Sequence, residues 1–188
     1  TTRFVRCFWA LDKVLADARH YPSISWIDSY SEYIDDIKDW WLNVDSGWQK
    51  VRMDALHILL EENRLQQIVK LVGPDALPVA ERFLLFCAEM IKNGFLQQNA
   101  FDPKDMYSTP QKQMKLLKII TRFFASGNAL LARGAELGDI LGLECLPGIT
   151  RLKSETGNDE LDRIDEFEKQ VEAQISGLSM KSVKGGVV

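Results

Sequence analysis

The sequence predicts a mainly α-helical protein that folds as a bundle of several helices. Apolar residues recur every three or four positions over long segments, glycine and proline fall between those segments, and strand-forming residues dominate only the first ten positions. The chain has 188 residues, 46% of them hydrophobic, so it can bury one sizeable core. This composition excludes a wholly disordered protein.

The first ten residues combine β-branched and aromatic side chains in the run FVRCFW, from Phe4 to Trp9. An unpaired strand makes a poor free terminus, and this chain does not begin with Met. Two interpretations stay open from the residues alone. Residues 1–10 are either a strand separated from a larger sheet or an apolar segment that packs on the chain's own helices.

Three helices are predicted between this segment and the first glycine-proline pair. Helical composition spans residues 11–19, and His20-Tyr21-Pro22 ends it because the residue before proline avoids helical dihedral angles. Residues 29–42 carry apolar side chains at helical spacing opposite three aspartates, which predicts an amphipathic helix. Residues 48–72 keep the same period in a longer helix that ends at Gly73-Pro74.

The next two helices are separated by a long loop. Pro78 is tolerated in a first helical turn, and a helix with one apolar face follows it as far as Phe95. Residues 96–109 carry turn chemistry over about 13 positions, a length that is uncommon without a function. Thr109-Pro110 predicts the start of the next helix, whose cationic face is expected to be solvated and consists of Lys112, Lys115, Lys118 and Arg122.

The elements beyond Gly127 are shorter, and at least one short helix is predicted to run through Ile140. A final helix of about 17 residues begins near Gly157, with eight acidic residues between positions 155 and 172 opposite an apolar stripe. This helix either binds a partner or packs on the chain's own bundle. Residues 177–188 are expected to form a flexible tail.

Charge and cysteine content exclude several functional classes. The 23 Lys and Arg against 27 Asp and Glu give a net charge of −4, so the basic surface of a general nucleic-acid binder is missing. No apolar run suits a spanning helix and the start does not resemble a signal peptide, which predicts a soluble, cytoplasmic chain. Cys7, Cys87 and Cys145 are spaced too widely for a metal motif or a disulfide framework, which predicts reduced thiols.

No catalytic motif is present in the sequence, neither a phosphate-binding GxxxxGK[ST] nor GxGxxG, HExxH or GxSxG. The chain alone is therefore expected not to be an enzyme. His20 and His57 have no cysteine or carboxylate at ligand spacing, so no metal site is predicted. Asp35, Asp36 and Asp39 fit a solvated helix face.

Two loops are the candidates for function. Phe101 lies between the polar run Gln97-Gln98-Asn99 and the turn Asp102-Pro103, so an aromatic ring is held at the end of a helix. Such a ring can stack on a planar base, although the residues alone favour a ring that plugs the bundle. The turn from Gly73 to Pro78 is rigid, and it either contacts another protein or simply connects two helices.

Four strings carry a family resemblance: FWALD at residues 8–12, ARHYPSISWIDSYSEY at 18–33, LQQIVKLVGPDALP at 65–78 and FLQQNAFDP at 95–103. They resemble the C-terminal helical domain of the catalytic A subunit of archaeal and vacuolar-type rotary ATPases. The resemblance extends to about Phe124 and weakens past Gly142.

The resemblance implies a division of the chain into four parts. Residues 1–10 would be the last strand of the nucleotide-binding domain, 11–150 the helical bundle domain, 151–176 an acidic C-terminal helix and 177–188 a tail. A hinge is expected near residues 12–22, so that the bundle can move as a rigid body.

The resemblance also implies partners and cofactors for the full-length subunit. That subunit would alternate with B subunits in a hexameric ring and bind ATP or ADP with Mg²⁺. It would couple ATP synthesis or hydrolysis to rotation of central-stalk subunits and to proton or sodium flow through a membrane sector. The complex would be cytoplasmic and peripheral to the cell membrane, while the chain alone would bind no cofactor and be inactive.

Residue roles carry over from the resemblance at the two loops. Phe101 would lie against the adenine of bound nucleotide, with Gln98, Asn99 and Ala100 near it. This implication reverses the preference, drawn from the residues alone, for a ring that plugs the bundle. The Gly73–Pro78 turn would lie where the related F-type catalytic subunit carries an acidic loop that contacts its stalk. Because only Asp75 there and Glu81 beyond it are acidic, Leu77 is the expected contact in the loop formed by Gly73, Pro74, Asp75, Ala76, Leu77 and Pro78.

A competing hypothesis makes the chain a free-standing, all-helical protein-interaction module. It would hold partners through the acidic final helix and the Gly73–Pro78 turn. This hypothesis predicts no dependence on nucleotide.

Overall fold

Helices form most of the chain in the computed structural model, which describes residues 4–185 but not the side chains of Val72 and residues 181–185. A π-helical turn, Lys92–Leu96, directly continues the helix that ends at Ile91. The mainly α-helical class predicted from the sequence is confirmed. The α-helices are α1 (Lys13–Asp17), α2 (Lys38–Val44), α3 (Trp48–Val72), α4 (Val79–Ile91), α5 (Pro110–Ala132), α6 (Leu137–Leu141), α7 (Leu146–Glu155) and α8 (Leu161–Gly185).

The N-terminal segment pairs with a strand of the same chain. Strand β1 (Cys7–Phe8) is antiparallel to β2 (Tyr30–Ser31), with Cys7 opposite Ser31 and Phe8 opposite Tyr30. The Tyr30 hydroxyl also donates a hydrogen bond to the carbonyl of Val5, at 2.7 Å. Phe8 and Trp9 remain half or more exposed, so this ribbon leaves apolar surface uncovered. That residues 1–10 end the sheet of another domain stays a prediction, and residues 1–3 lie outside the described part.

The prediction of one continuous helix over residues 29–42 is wrong. Pairing with β1 holds Ser31 in an extended conformation, with φ −143° and ψ 129°. Its hydroxyl accepts a hydrogen bond from the Tyr33 amide and begins only a 3₁₀ turn, Glu32–Ile34. The α-helix starts later, at Lys38. A long-range strand pairing therefore overrides the local amphipathic period.

The core lies between three long helices. Helices α3, α4 and α5 pack together, and α7 and α8 pack against α5. The predicted apolar face of α4 is confirmed, since Phe83 and Cys87 are fully buried. A single buried cluster joins the long helices and includes Ile58, Cys87, Ile120, Ile149 and Ile164.

The cationic face of α5 is not a plain solvated surface. Lys112 is completely buried, which corrects the expectation that it faces water. Lys115 pairs with Asp165 on α8, and Arg122 pairs with Glu168 and Glu172 on the same helix. Three acids of α8 therefore face cations of α5, and the final helix packs on the chain's own bundle.

The end of the chain differs from the sequence expectation in two respects. Helix α8 continues to Gly185, so it includes residues 177–185 of the expected tail, while 186–188 lie outside the described part. Helix α7 crosses the expected domain boundary at residue 150. Pro147 lies in the first turn of α7, where proline is tolerated.

Within residues 4–185, no helix is both long and apolar enough to cross a lipid bilayer.

The cysteines are free thiols, as the spacing predicted. Cys87 and Cys145 are buried, and Cys7 is partly exposed. Burial raises the pKa of the Cys87 thiol, which therefore stays protonated at neutral pH.

Gly127 allows α4 and α5 to approach each other closely. A Cβ atom at this position would lie 2.2 Å from Cζ of Phe83, whose ring is fully buried. We expect Gly127→Ala to lower the free energy of unfolding by about 1–3 kcal/mol because the ring cannot move away in a packed core. Guanidinium unfolding followed by circular dichroism measures the change.

Gly138 in α6 provides the control, because a Cβ atom there meets nothing within 4 Å. We expect Gly138→Ala to be neutral or to stabilise the chain by up to about 1 kcal/mol through helix propensity. Equal losses in the two variants would contradict the close contact between α4 and α5.

Candidate functional site

Phe101 lies on an exposed loop beyond the C-terminal end of α4. Its side chain is 96% exposed, so the alternative that it plugs the bundle is wrong. We refer to residues 97–109, between the π-helical turn and α5, as the Phe101 loop. The loop contains neither helix nor strand, as its turn chemistry predicted.

Short-range hydrogen bonds shape the Phe101 loop around its aromatic residue. The side-chain oxygen of Asn99 accepts a hydrogen bond from the Phe101 amide at 3.0 Å, and the Asn99 amide donates to Oδ2 of Asp105 at 2.8 Å. The side-chain nitrogen of Gln98 donates to the Asp105 carbonyl at 2.7 Å. Gln98 and Asn99 thus hold the loop as well as lying near its tip. Ala100 beside Phe101 is exposed.

The segment that follows α1 is attached to the same loop. The Gln98 amide donates to the Tyr21 carbonyl at 2.7 Å, and the Gln97 side chain donates to the Arg19 carbonyl at 3.4 Å. His20 is buried and its Nε2 lies 3.1 Å from the Lys92 carbonyl at the start of the π-helical turn. This contact joins the segment to the π-helical turn.

A polar cavity of about 420 Å³ lies where these segments meet. Its lining brings together the predicted residues Gln98 and Asn99 with Arg19, Tyr21 and Lys153, which sequence reasoning did not assign to a site. Tyr21 exposes about half of its side chain. The string ARHYP contains two of these residues, but only the fold shows that they face the Phe101 loop.

Buried lysines attach the Phe101 loop to the helical body. Lys112 on α5 donates 2.8 Å hydrogen bonds to the carbonyls of Lys104 and Lys153. Lys153 on α7 donates to the Gln97 carbonyl and lies 3.3 Å from Oδ2 of Asp105. Burial lowers the pKa of Lys112, although nearby Asp105 opposes the shift.

The loop is also bound to the end of α7 and to the segment that connects α7 to α8. Lys104 donates to the Glu155 carbonyl at 2.8 Å and to the Glu160 carboxylate at 3.1 Å. The Gly157 amide donates to the same carboxylate at 2.7 Å, and Arg163 donates to its other oxygen at 3.1 Å. The hydrogen bond from Gly157, with those from Lys104 and Arg163, lowers the pKa of Glu160 to about 2.

The Gly73–Pro78 turn is rigid, but its exposed residues differ from the expected ones. Gly73 adopts a positive φ of 81°, and a 3₁₀ turn, Pro74–Ala76, follows it. Leu77 is only 6% exposed, so the expectation that it reaches a partner is wrong. Leu71 near the end of α3 is 86% exposed and offers a large apolar side chain at this corner.

Comparison with known proteins decides the family. A profile described as the C-terminal domain of V and A type ATP synthase matches residues 38–140. The chain belongs to this family. The matched segment contains both the Gly73–Pro78 turn and the Phe101 loop, which confirms the resemblance seen in the sequence.

Curated relatives extend the similarity beyond the domain profile. The chain is 42% identical to the A subunit of the A-type ATP synthase of Methanopyrus kandleri over 95% of its own length and 30% of the relative's. It is 43% identical to the V-type ATP synthase alpha chain of Halothermothrix orenii, over 95% and 30%. For the A subunit of the A-type ATP synthase of Sulfolobus acidocaldarius the identity is 43%, over 95% and 31%.

The chain spans about three tenths of the length of these relatives. The similarity reaches further than the sequence strings indicated, because the matches cover nearly the whole chain. Two residues that help to secure the Phe101 loop, Lys153 and Glu160, lie beyond the end of the profile at residue 140.

We expect Glu160 to make the free energy of unfolding depend on pH in the acid range. Its folded pKa of about 2 lies below the ordinary value of 4.5, so its stabilising effect is complete above pH 4.5 and is lost as the pH falls towards 2. Thermal unfolding of the chain and of Glu160→Gln should differ at pH 6, and the difference should shrink between pH 4.5 and 2.

Glu166→Gln is the control, because Glu166 lies six positions further along the chain, in α8, and forms no ion pair with the described residues. Its difference from the unchanged chain should stay small across this range. A constant effect of Glu160→Gln down to pH 2 would contradict the assigned hydrogen bonds.

Proposed function

We propose that this chain is the C-terminal domain of the catalytic A subunit of a V/A-type ATP synthase and that its Phe101 loop forms the adenine side of the nucleotide site. The observation that carries the proposal is the exposed Phe101 ring on a loop fixed by partly buried polar contacts. Because the backbone of the loop is already held, stacking on a base would order little more than the Phe101 side chain itself. Stacking of this kind contributes about 1–3 kcal/mol per base.

The polar cavity beside the loop suits the edge of a purine and its sugar. Gln98 and Asn99 line one side of it, and Tyr21 lies on its wall. The side-chain nitrogen of Gln98 and the oxygen of Asn99 already take part in hydrogen bonds within the loop. Their first role is therefore to hold Phe101, while Ala100 next to the ring leaves room for the base.

The remaining parts of the nucleotide site belong to the rest of the full-length protein. This sequence carries no phosphate-binding motif, so ATP or ADP and its Mg²⁺ would be held mainly by residues outside it. By itself the chain would turn over no ATP. In the assembled enzyme the full-length protein would alternate with B subunits, contact the central stalk and lie at the membrane surface, with proton or sodium flow through a separate sector.

Helix α4 gives the domain a mechanical role. The Gly73–Pro78 turn lies before its first residue, and the π-helical turn and Phe101 loop follow its last. A length of 13 residues at about 1.5 Å each makes α4 about 20 Å long, and the π-helical turn adds to the separation of the two loops. Rotation of a stalk that contacts one loop would therefore move the other through a rigid element, which couples stalk angle to nucleotide binding.

The competing hypothesis of a free-standing interaction module has less support. It assigned partner binding to the acidic face of the final helix. The structure pairs acids on that face, Asp165, Glu168 and Glu172, with cations on α5.

We expect Phe101→Ala in the full-length protein, assembled with its partners, to weaken nucleotide binding by about 1–3 kcal/mol. The ring is exposed, so its loss should leave folding intact. Titration of the assembled complex with a fluorescent ATP analogue measures the affinity. Phe101→Tyr keeps an aromatic face and should retain most of it. Unchanged affinity in Phe101→Ala would remove the adenine assignment.

We expect Leu71→Ser to weaken the contact with the central stalk, because this exposed side chain borders the Gly73–Pro78 turn. Ion transport per ATP hydrolysed should fall while nucleotide affinity stays unchanged. Leu60→Ser, a control in the middle of the same helix, removes a half-exposed leucine away from the turn and should not alter the coupling ratio. If both variants transport the same number of ions per ATP hydrolysed, the contact with the central stalk does not involve Leu71.

A further inference from the structure

An ion pair beneath the Phe101 loop contacts the chain on both sides of the aromatic residue. Lys153 donates to the carbonyl of Gln97, before the ring, and lies 3.3 Å from the carboxylate of Asp105, after it. Both side chains are nearly buried, at 12% and 8% exposure. Asp105 in turn accepts a hydrogen bond from the Asn99 amide at 2.8 Å. A chain of contacts therefore leads from α7 to the residue that holds the Phe101 amide.

A second lysine secures this arrangement from the opposite helix. Lys112 on α5 donates 2.8 Å hydrogen bonds to the carbonyl of Lys153 on α7 and to that of Lys104 in the loop. Its side chain is completely buried. The Phe101 loop, α5 and α7 thus meet at one ammonium group, and a shift of any of the three would break a hydrogen bond.

Stability alone does not account for this set of buried charges. Removing ammonium and carboxylate groups from water is costly, and apolar residues of similar volume often stabilise a protein as well or better. Buried charges do fix one geometry, because each alternative leaves a charge without its partner. The position held in this way is that of the loop that presents an exposed aromatic ring.

We propose that Lys153 and Asp105 are positioning residues for base binding, and that α7 thereby takes part in nucleotide recognition without touching the nucleotide. The proposal rests on the proposed function, in which Phe101 stacks on adenine. Lys153 and Asp105 keep the backbone at Asn99 in place, so the Phe101 ring points outward before nucleotide arrives. Without them the loop would have to be ordered at each binding event, which lowers affinity for the base and leaves phosphate contacts unchanged.

The test compares ADP with inorganic pyrophosphate as inhibitors of ATP hydrolysis by the assembled enzyme. The inhibition constant of pyrophosphate divided by that of ADP measures how much the nucleoside adds to the affinity of the phosphates. Phe101→Ala should lower this ratio by about 5-fold to 150-fold, the value of one stacking contact. Lys153→Met should lower it by a similar factor, and Lys153→Arg, which keeps the charge and the donors, should restore most of it.

The double variant, Lys153→Met with Phe101→Ala, separates positioning from an independent effect. If Lys153 acts through the ring, the double variant should lose no more than Phe101→Ala alone. Lys118→Met is the matched control, because Lys118 lies on α5, is half-buried and pairs with Asp45 away from the loop. It should leave the ratio unchanged even if it lowers stability.

The outcomes distinguish the two proposals. An unchanged ratio in Phe101→Ala would overturn the proposed function and the positioning role with it. A lowered ratio in Phe101→Ala but not in Lys153→Met, or losses that multiply in the double variant, would overturn the positioning role alone. Equal losses in Lys118→Met would also overturn it. If Lys153→Met does not assemble, Asp105→Asn takes its place, and an unchanged ratio in that variant carries the same negative result.

Discussion

The contact between the Phe83 ring and Gly127 sets the position of α4, and the rest of the domain depends on it. Phe83 is fully buried, and its ring lies edge-on to Phe123 at 5.6 Å and parallel to Phe124 at 5.9 Å. Only a glycine at position 127 lets the ring lie so close to the backbone of α5. The Gly73–Pro78 turn precedes α4 and the π-helical turn joins its other end to the Phe101 loop, so this contact influences where both candidate loops emerge.

Sequence reasoning succeeded where local chemistry decides the structure and failed where distant residues do. The bounds of α3 and the start of α5 follow from periodicity and from the Thr109 cap, which accepts a hydrogen bond from the Lys112 amide. The helix predicted over residues 29–42 failed because its first residues pair with β1. Lys112 was misplaced because spacing along a helix cannot distinguish a solvated cation from one that two carbonyls bind in the interior.

The candidate site divides in the same way. A loop that holds an aromatic residue could be predicted, because the Asn99 and Asp102 turns are local. The groups that hold the loop could not, since Lys153 is more than fifty positions beyond Gln97 and reaches it only through the packing of α7. Gly94 favours that packing, because a Cβ atom there would lie only 3.3 Å from Cα of Thr150. Close approach of helices thus brings together residues whose spacing in the sequence carries no signal.

These contacts also restrict where the domain can bend. A hinge was expected near residues 12–22, but Arg19 and Tyr21 accept hydrogen bonds from the Phe101 loop, and His20 is bonded to the π-helical turn. Residues 19–21 would therefore move with the bundle rather than with the segment before them. Before them, Leu11 and Val14 are largely exposed, and α1 contains no buried residue. If the proposed function holds, a hinge that leaves the Phe101 loop intact would lie in this weakly packed stretch. Closure would then carry the Phe101 ring and Tyr21 together, as one body.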